Sequence, residues 1–368
     1  MGKLSFPGIG IGEFDINSVI FSLFDGKLVI NWYAVIITTG IVLAAVYVLM
    51  RFKENGLKTD DFLDLALWVV VCGILGARLY FILFKLDDYI ITSHDNFFKN
   101  LGASLYEMIA VWKGGLAIYG GVIAGGLAAF FVARKKKLNI LQILDFLAPA
   151  VMMAQSLGRW GNFFNIEAFG SITDSPLRMC SPTAINYLIR TEQLESGSEI
   201  HQQMLAGTLG VHPTFFYESM WNLVGFLVLW LVFVQISKTK FLHKFHGQLF
   251  YSYLIWYGLG RLWIEGLRTD SLYLIPNVIR VSQLVALLSL LAGVALMVTS
   301  FVLLKKGKGG KFVELVDHSV VDKFRAEAKQ KSEENKKNKE NKKKEGTKNG
   351  TNNKRQASFK KRQRGTKG

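Results

Sequence analysis

The sequence is poor in cysteine, and its first residues do not have the pattern expected of a cleavable leader. Two of the 368 residues are cysteines, Cys72 and Cys180, and neither has partners at the spacing of a zinc site or a disulfide framework. The first 25 residues contain no continuous apolar core of the kind found in a signal peptide. Disulfide-rich secreted domains and zinc proteins are therefore excluded, and any membrane insertion must depend on internal segments.

Charge is also scarce, except at the C-terminal end. Residues 305–368 hold 22 Lys and Arg against 8 Asp and Glu, which places +14 of the net charge of +16 there. The first 304 residues are nearly balanced, with 22 basic and 20 acidic side chains. Half of all residues are hydrophobic, and the mean hydropathy is +0.26. These values exclude an ordinary soluble enzyme and indicate a membrane protein with a basic tail.

Seven apolar windows approach the roughly 20 residues that a membrane-crossing helix needs. They are residues 31–50, 62–84, 114–133, 138–158, 217–236, 247–266 and 281–304. The loops after the third and fifth windows and the tail after the seventh are rich in Lys and Arg, which the positive-inside rule places in the cytoplasm. We expect an all-α integral membrane protein with about seven transmembrane helices, its N-terminus outside and its C-terminus inside.

The same pattern divides the chain into two domains. Residues 1–304 are predicted to form the multi-pass membrane domain, with 159–216 as a small extracytoplasmic head or loop region. Residues 305–368 form a basic tail that almost lacks apolar side chains beyond Phe324, so it cannot bury enough surface to fold. We expect a disordered cytoplasmic tail with no specific nucleic-acid partner. Deleting residues 308–368 is expected to leave activity largely intact.

Polar side chains inside the predicted spans gather mostly toward the outer side of the membrane. They are Arg78, Arg159, Glu218, Arg261, Glu265 and Arg268, with Tyr33 and Tyr119 at similar depth. Guanidinium groups match phosphate geometry in bidentate fashion, so this set predicts an anion bound at headgroup level. The alternative is that these residues are interfacial anchors and ion pairs that hold the helices together.

The densest polar segment is residues 158–170, which combine three glycines with Arg159, Asn162, Asn165 and Glu167. An arginine can hold a phosphate, asparagine amides can donate to ester or hydroxyl oxygens, and a glutamate can orient an arginine or accept a proton. On composition alone, a polar re-entrant loop of a channel or transporter also fits. A transporter favours charges at the bilayer midplane and an internal repeat, and the sequence has neither.

The pattern G-R-x-G-N-F-x-N-x-E-x-x-G at residues 158–170 resembles the signature of the bacterial prolipoprotein diacylglyceryl transferases. Further segments match in the same order: N-W-Y at 31–33, G-A-R-L at 76–79, G-G-L-A-I-Y-G-G at 114–121, H-P-T at 212–214, Y-G-L-G-R at 257–261 and E-G-L-R at 265–268. The likeness spans most of the chain before the tail. Tyr119 stands where many members of the family have His.

This resemblance implies an enzyme that transfers the diacylglyceryl group of phosphatidylglycerol to the lipobox cysteine of a prolipoprotein. The product is a thioether, and the leaving group is glycerol phosphate. The resemblance also implies a multi-pass protein of the bacterial plasma membrane with its active site facing the extracytoplasmic side. Membrane lipid and the prolipoprotein signal peptide are the expected partners, and neither a cofactor nor a metal is expected.

The expected site residues fall into three groups. The catalytic set is Arg261, Tyr119, Glu167 and Glu218. The phosphatidylglycerol-binding set is Arg159, Asn162, Asn165, Gly170, Arg78 and Tyr33. Glu265 and Arg268 are expected to form an ion pair that supports Arg261. In this hypothesis Arg159 holds the lipid phosphate, Arg261 stabilises the leaving group, and Glu167 or Glu218 orients an arginine or accepts the thiol proton.

Overall fold

The computed structural model consists mostly of long helices joined by short segments. The described residues are 2–23, 28–90, 97–111, 114–231, 243–271, 273–275, 278–310, 313–320, 322–324, 326–327, 329–331 and 333–334. They divide into two compact units, one of residues 1–52 and 58–316 and one of residues 53–57 and 317–368. Residues 335–368 of the predicted tail and 232–236 of the fifth predicted span lie outside the described residues.

The long helices coincide with the predicted apolar windows. The α-helices are α1 (Trp32–Glu54), α2 (Thr59–Phe84), α3 (Leu86–Tyr89), α4 (Phe97–Ile109), α5 (Ile118–Lys135), α6 (Ile140–Asn165), α7 (Pro182–Arg190), α8 (Glu199–Leu205), α9 (Thr214–Val228), α10 (Gln248–Leu267) and α11 (Val281–Lys305). Within the described residues, six helical segments are long and apolar enough to cross a membrane: α1, α2, α5, α6, α11 and the segment Thr214–Leu231, which begins with α9.

The predicted fold class, an all-α integral membrane protein, is confirmed by the helical content and by these apolar helices. Helix α10 is 20 residues long and overlaps the sixth predicted window. Its sequence includes Gln248, Arg261 and Glu265, which lower its hydropathy. The number of spans and the direction in which they cross remain predictions.

Short antiparallel hairpins, which the prediction did not include, accompany the helices. The strands are β1 (Gly2–Phe6), β2 (Ile11–Ile16), β3 (Val19–Leu23), β4 (Leu28–Asn31), β5 (Ile172–Thr173), β6 (Gly210–Val211), β7 (Tyr273–Ile275) and β8 (Ile279–Arg280), paired in sequence order. Ser5 and Cys180 exchange two backbone hydrogen bonds of 2.9 Å, which join the first hairpin to the 171–211 segment. A buried apolar core that includes Leu4, Met179 and Val211 then fills the head.

Helices α2 and α5 form a pair whose contact is made by small residues. A Cβ at Gly120 would collide with the carbonyl oxygen of Gly76, and the Ala117 N–H donates to the carbonyl of Ala77 at 3.0 Å. Small residues allow membrane helices to approach closely. Gly120, Gly121 and Gly125, whose added Cβ atoms would meet α2, therefore serve the packing of α5 on α2.

Helix α6 is the centre of the second helix group and packs against both α9 and α10. It begins at Asn139, whose side-chain oxygen accepts from the N–H groups of Leu141 and Gln142 at 2.9 and 3.2 Å. Such a cap satisfies backbone donors that the first helical turn leaves unpaired. Helix α9 runs antiparallel to α6, so the end of α6 meets the beginning of α9 at one end of the group.

The described residues that soon follow α11, which the prediction assigns to the tail, have hydrogen-bond partners in the loop before α10. Val316 donates to the carbonyl of Lys244 at 3.1 Å, and His246 donates to the carbonyl of Glu314 at 3.0 Å. Val313 is buried beside Phe245, which is fully buried. The first residues after α11 therefore belong to the larger unit, because their backbone and one apolar side chain have partners there.

Candidate active site

Helix α6 carries the glycine- and asparagine-rich motif in helical form. The prediction placed residues 159–216 in a head or loop region, but α6 continues to Asn165. Trp160, Phe163 and Phe164 pack against the apolar core of the head, so the helix has an apolar face to bury beyond the predicted end of the span. Residues 159–165 therefore expose their polar groups from a rigid helix.

The helix ends in a turn with unusual backbone angles. Ile166 has φ 51° and Ala168 has φ 55°, a region that residues with a Cβ rarely adopt. The turn is held by hydrogen bonds from the Glu167 N–H to the carbonyl of Asn162 at 3.1 Å and from the Thr214 hydroxyl to the carbonyl of Ala168. This turn places Glu167 beside the last turn of α6.

Glu218, in the first turns of α9, is the central group of the site. Its Oε1 lies 2.5 Å from Nη2 of Arg159 on α6, and its Oε2 lies 2.9 Å from Nη1 of Arg261 on α10. The Glu218 side chain is only 9% exposed. One buried carboxylate thus joins two arginines from different helices.

Arg261 also contacts Glu265 one turn later on α10, where Nη2 lies 2.6 Å from Oε2. Arg159 and Arg261 together carry two positive charges, and Glu218 and Glu265 carry two negative charges. Because each guanidinium has five N–H donors, these contacts leave further donors on both arginines. The four side chains form a charge-balanced group that can present guanidinium N–H groups to an anion.

The expected ion pair between Glu265 and Arg268 does not form. Helix α10 ends at Leu267, and Arg268 has an extended backbone with ψ 145°, so it leaves the helix face that carries Glu265. Arg268 instead makes two hydrogen bonds to Asp270, at 2.9 and 2.7 Å. Burial alone would raise the pKa of Asp270, but the hydrogen bond and charge of Arg268 outweigh it and hold that pKa below its usual value.

Two asparagines link the arginine group, which consists of Arg159, Glu218, Arg261 and Glu265, to the exposed carboxylate of Glu167. Asn162 accepts from Arg159 at 3.3 Å and donates to Glu167 Oε1 at 2.9 Å. Asn165 donates to the same oxygen at 3.1 Å. The structure thus brings together Arg159, Asn162, Asn165 and Glu167, as the motif predicts, and Glu167 lies at the solvent-exposed end of the chain of contacts.

Tyr33 and Gly170 lie close to this group, but with different surroundings. The Tyr33 ring packs on α6 at Gly161, where a Cβ would lie 2.6 Å from the ring. Gly170 is buried, donates to the carbonyl of His212 at 2.8 Å, and leaves no room for a Cβ beside Leu267. Its position is explained by close packing of the head on the end of α10.

Arg78 is buried, and its guanidinium is engaged by backbone carbonyls. It donates to Glu107 at 2.6 Å, Met108 at 2.8 Å, Gly114 at 2.6 Å and Gly115 at 3.0 Å. This arginine therefore fixes the segments before α5. Tyr119, in the first turn of α5, is 39% exposed and makes no hydrogen bond with the arginine group within the described part of the chain.

Sequence reasoning missed several groups around the site. Asp270 follows α10 by three residues, and only its position after Arg268 could have suggested it. Ser156 and Ser219 exchange hydroxyl-to-carbonyl hydrogen bonds of 2.9 Å between α6 and α9, and Trp160 donates to the Ser219 hydroxyl at 3.1 Å. These contacts join residues about 60 positions apart, so no local pattern reveals them.

The surroundings of Cys180 and His212 are not those of a nucleophile or a metal ligand. Burial raises the pKa of the Cys180 thiol, so it is protonated at neutral pH. Burial lowers the pKa of His212, and its Nδ1 lies 3.3 Å from the Tyr217 hydroxyl. The chemistry available at the site is therefore anion binding by arginine, hydrogen bonding by amides and proton transfer by a carboxylate.

Comparison with known proteins agrees with this chemistry. Residues 18–299 match the family model described as prolipoprotein diacylglyceryl transferase. Three relatives are named phosphatidylglycerol–prolipoprotein diacylglyceryl transferase. The protein of Enterococcus faecalis is 40% identical over 285 residues, covering 77% of this chain and 90% of the relative. That of Lactobacillus acidophilus is 38% identical over 281 residues, covering 76% and 89%. That of Streptococcus pneumoniae strain JJA is 42% identical over 276 residues, covering 74% and 90%.

The resemblance carried by the motifs is thereby confirmed over most of the chain. The match begins at residue 18, directly before β3, and ends within α11, so it includes all three helices that supply the arginine group. The chain belongs to the prolipoprotein diacylglyceryl transferase family.

Proposed function

We propose that the protein transfers the diacylglyceryl group of phosphatidylglycerol to the cysteine thiol of a prolipoprotein. The observation that carries this proposal is the Glu218 carboxylate held between Arg159 and Arg261, next to the exposed amide and carboxylate groups at the end of α6. Two guanidinium groups from different helices can donate hydrogen bonds to different oxygens of one phosphodiester. Family membership gives the substrates, since the relatives are named for both of them.

Each arginine has a separate role in this proposal. Arg159 binds the phosphate of the lipid, and Arg261 stabilises the charge that develops on the departing phosphate. Glu218 orients both groups, because each of its oxygens accepts from one arginine. Asn162 and Asn165 bind the headgroup or glycerol oxygens. Preorganised donors of this kind stabilise a developing charge at no cost in reorganisation.

The reaction is a substitution at carbon. The sulfur of the acceptor cysteine forms a bond to the glycerol carbon that carries the phosphate oxygen, and the bond between that carbon and oxygen breaks. The electron pair leaves with glycerol phosphate, and the thiol proton passes to a base. A free thiol has a pKa of about 8.5, so nearby arginines promote the reaction by favouring the thiolate.

Glu167 is the better placed of the two candidate bases. Glu218 is buried, and both of its oxygens are occupied by arginines. Glu167 is exposed, and the structure gives its side chain two neutral amide partners. Tyr119 and Tyr33 position the thiol or the lipid, while Arg78 and Gly170 act through the backbone segments that they fix.

The location of the reaction follows from the membrane orientation. If the basic loops are cytoplasmic, the arginine group lies toward the extracytoplasmic side of the bacterial plasma membrane. The lipid headgroup and the lipobox cysteine of an exported prolipoprotein meet at that side. The N-terminus then lies outside and the C-terminus inside.

The proposal is tested with purified protein in detergent, phosphatidylglycerol and a peptide that contains a lipobox cysteine. Release of glycerol phosphate and the gain in peptide mass are measured for the wild type, for Arg159→Ala and for the control Arg51→Ala. Arg51 lies on α1 and stacks on Phe146, 5.5 Å from its ring centre. We expect the first variant to lose at least about 100-fold in turnover and the control to retain it.

Two other results are informative. Absence of a thioether product from folded wild-type protein with any lipid contradicts the transferase function. Turnover that survives Arg159→Ala leaves the enzyme in place and removes this arginine from the site. A peptide with Ser in place of the lipobox Cys yields no product if the thiol is the acceptor.

A further inference from the structure

From the arginine group toward the beginning of α6 and the end of α9, the two helices contact each other in a regular antiparallel register. Arg159 contacts Glu218, and Ser156 contacts Ser219. Farther from the site, a Cβ at Gly225 would lie 3.0 Å from Cε of Met152. Residues 155 and 222 fall between the second and third of these contacts, one helical turn below Arg159 and Glu218.

Asn222 occupies this intermediate position on α9 and is almost completely buried, with 2% of its surface exposed. Its side-chain nitrogen has no hydrogen-bond partner within the described part of the chain. A buried N–H group without a partner costs free energy, and such groups are rare in folded proteins. Gln155, at the facing position on α6, donates to the Tyr253 hydroxyl at 3.2 Å, and its own Oε1 is also buried without a hydrogen-bond partner within the described residues. The two amides therefore do not bond to each other. The side-chain N–H groups of Asn222 therefore lack an acceptor within the described residues.

One turn beyond Asn222 the three helices leave an apolar cavity of about 240 Å³. It is lined by Met152 of α6, Gly225 and Val228 of α9, and Ile255 and Trp256 of α10. Trp256 and Trp221 exchange indole-to-carbonyl hydrogen bonds of 3.0 Å, which hold α9 and α10 in place at this level. The cavity is thus bounded by fixed walls.

The order of these features along the helices matches the order of groups in a glycerophospholipid. Arginines come first, then an amide donor, then an apolar cavity, with about 5.4 Å between successive turns. In the lipid, phosphate comes first, then ester carbonyls, which only accept hydrogen bonds, and then acyl chains. An ester carbonyl supplies the acceptor that the Asn222 amide lacks.

We propose that Asn222 binds an ester carbonyl of the diacylglyceryl group, and that the cavity beyond it receives the first part of the attached acyl chain. This inference rests on the proposed function, because it takes the arginine group as the phosphate site. It makes Asn222 a positioning residue for the lipid, since the amide touches no reacting atom. Through Asn222 and the cavity, the interface of α6, α9 and α10 recognises an ester-linked lipid.

The test compares phosphatidylglycerol with ester-linked chains and its analogue with ether-linked chains, which lack the carbonyl oxygen. We measure kcat/KM for both lipids with the wild type, Asn222→Leu and Gln155→Leu. One neutral hydrogen bond corresponds to a factor of about two to ten, so the wild type is expected to prefer the ester lipid by that factor. Asn222→Leu abolishes the preference, and Gln155→Leu keeps it.

A second pair of variants tests the cavity and does not depend on the folding of Asn222→Leu. Val228 lines the cavity, and its neighbour Leu227, equally exposed at 38%, does not. The acyl chain enters the cavity from an apolar micelle and not from water, so its gain there comes from packing against the cavity walls. Val228→Phe is expected to remove the gain in kcat/KM with lengthening of the acyl chain, and Leu227→Phe to preserve it.

The outcomes separate this inference from the proposed function. A wild type that transfers from ester and ether lipids equally well overturns the role of Asn222, while the transferase function stands. The same conclusion follows if Asn222→Leu keeps the ester preference. An unchanged dependence on chain length in Val228→Phe overturns the role of the cavity. A folded wild type that yields no thioether with either lipid contradicts the proposed function itself.

Discussion

Replacement of Glu218 by leucine removes the carboxylate that holds two arginines from different helices. In the wild type, Arg159 and Arg261 are balanced by Glu218 and Glu265. The variant Glu218→Leu leaves one unbalanced positive charge in a site where the Arg261 side chain is only 11% exposed. It also removes the acceptor of two charge-assisted hydrogen bonds.

The expected loss of stability follows from the burial of these groups. Removing one partner of a buried ion pair costs about 3–5 kcal/mol, because the other charge remains buried without compensation. The Arg159 side chain is 24% exposed and can turn toward water, which places the expected cost near 3 kcal/mol. The double variant Arg159→Leu with Glu218→Leu restores the balance of charge, since Arg261 keeps Glu265. It is therefore expected to be more stable than Glu218→Leu alone.

Thermal unfolding in detergent and the transfer assay together test this reasoning. The single variant should unfold at a temperature lower by roughly 5–15 °C, and the double variant should recover a substantial part of that loss. Both should lose turnover by at least about 100-fold, because the single variant no longer holds the two arginines in place and the double variant lacks Arg159. A double variant less stable than Glu218→Leu would refute the charge-balance argument, and turnover in either variant would refute the functional assignment of the pair.

Three further changes test the surroundings of the site. Arg78→Lys should lower the unfolding temperature, because a lysine cannot reach the four carbonyls that the guanidinium binds; a control at the exposed Lys85 should not. Asp270→Asn should reduce the loss of stability in acid. The pKa of Asp270 is depressed in the folded state, so its contribution is present above the unfolded pKa of about 3.9 and fades as pH falls through the folded pKa. Unfolding temperatures measured between pH 7 and 3 decide this, and equal acid sensitivity of variant and wild type contradicts it. Asp145→Ala should cost about 2–4 kcal/mol in unfolding free energy, because it removes the acceptor of the Gly247 and Phe250 N–H groups; an unchanged midpoint would contradict that role.

The helices were predictable from the sequence because each is set by a local property. Hydropathy over about 20 residues determines whether a segment is able to cross a membrane, and α1, α2, α5, α6 and α11 coincide with the windows that it marks. The end of α6 was not predictable in this way. Its last turn is polar along the sequence, and the helix continues to Asn165 because its aromatic residues pack against the core of the head.

The members of the site were predictable, but several of their partners were not. The motif at residues 158–170 specifies Arg159, Asn162 and Glu167, whose mutual contacts are short-range in sequence. The link between Glu218 and Arg261 depends on how α9 and α10 pack, and the end of α10 at Leu267 decides that Arg268 pairs with Asp270. Residue spacing on an assumed continuous helix led to the incorrect pairing with Glu265.

The beginning of the tail gives the clearest case of structure that composition conceals. The segment after α11 is basic and polar, which predicts a solvated chain from residue 305 onward. Four of its residues nevertheless add a short extended segment to the loop before α10, through Val316 with Lys244 and Glu314 with His246. Val313 covers Phe245, which has no exposed surface. A single valine and a few backbone hydrogen bonds are too weak a pattern to recognise in the sequence.

This contact changes the expected outcome of truncation. Removing residues 308–368, which composition predicts to be harmless, deletes the segment that covers Phe245 and the Glu314 side chain that binds Asn139 at 2.5 Å. Removing only residues 317–368 leaves these contacts intact. We expect the shorter deletion to keep the unfolding temperature and turnover of the full chain, and the longer one to lower the unfolding temperature by several degrees. Equal stability of the two truncated proteins in detergent would contradict a structural role for residues 313–316.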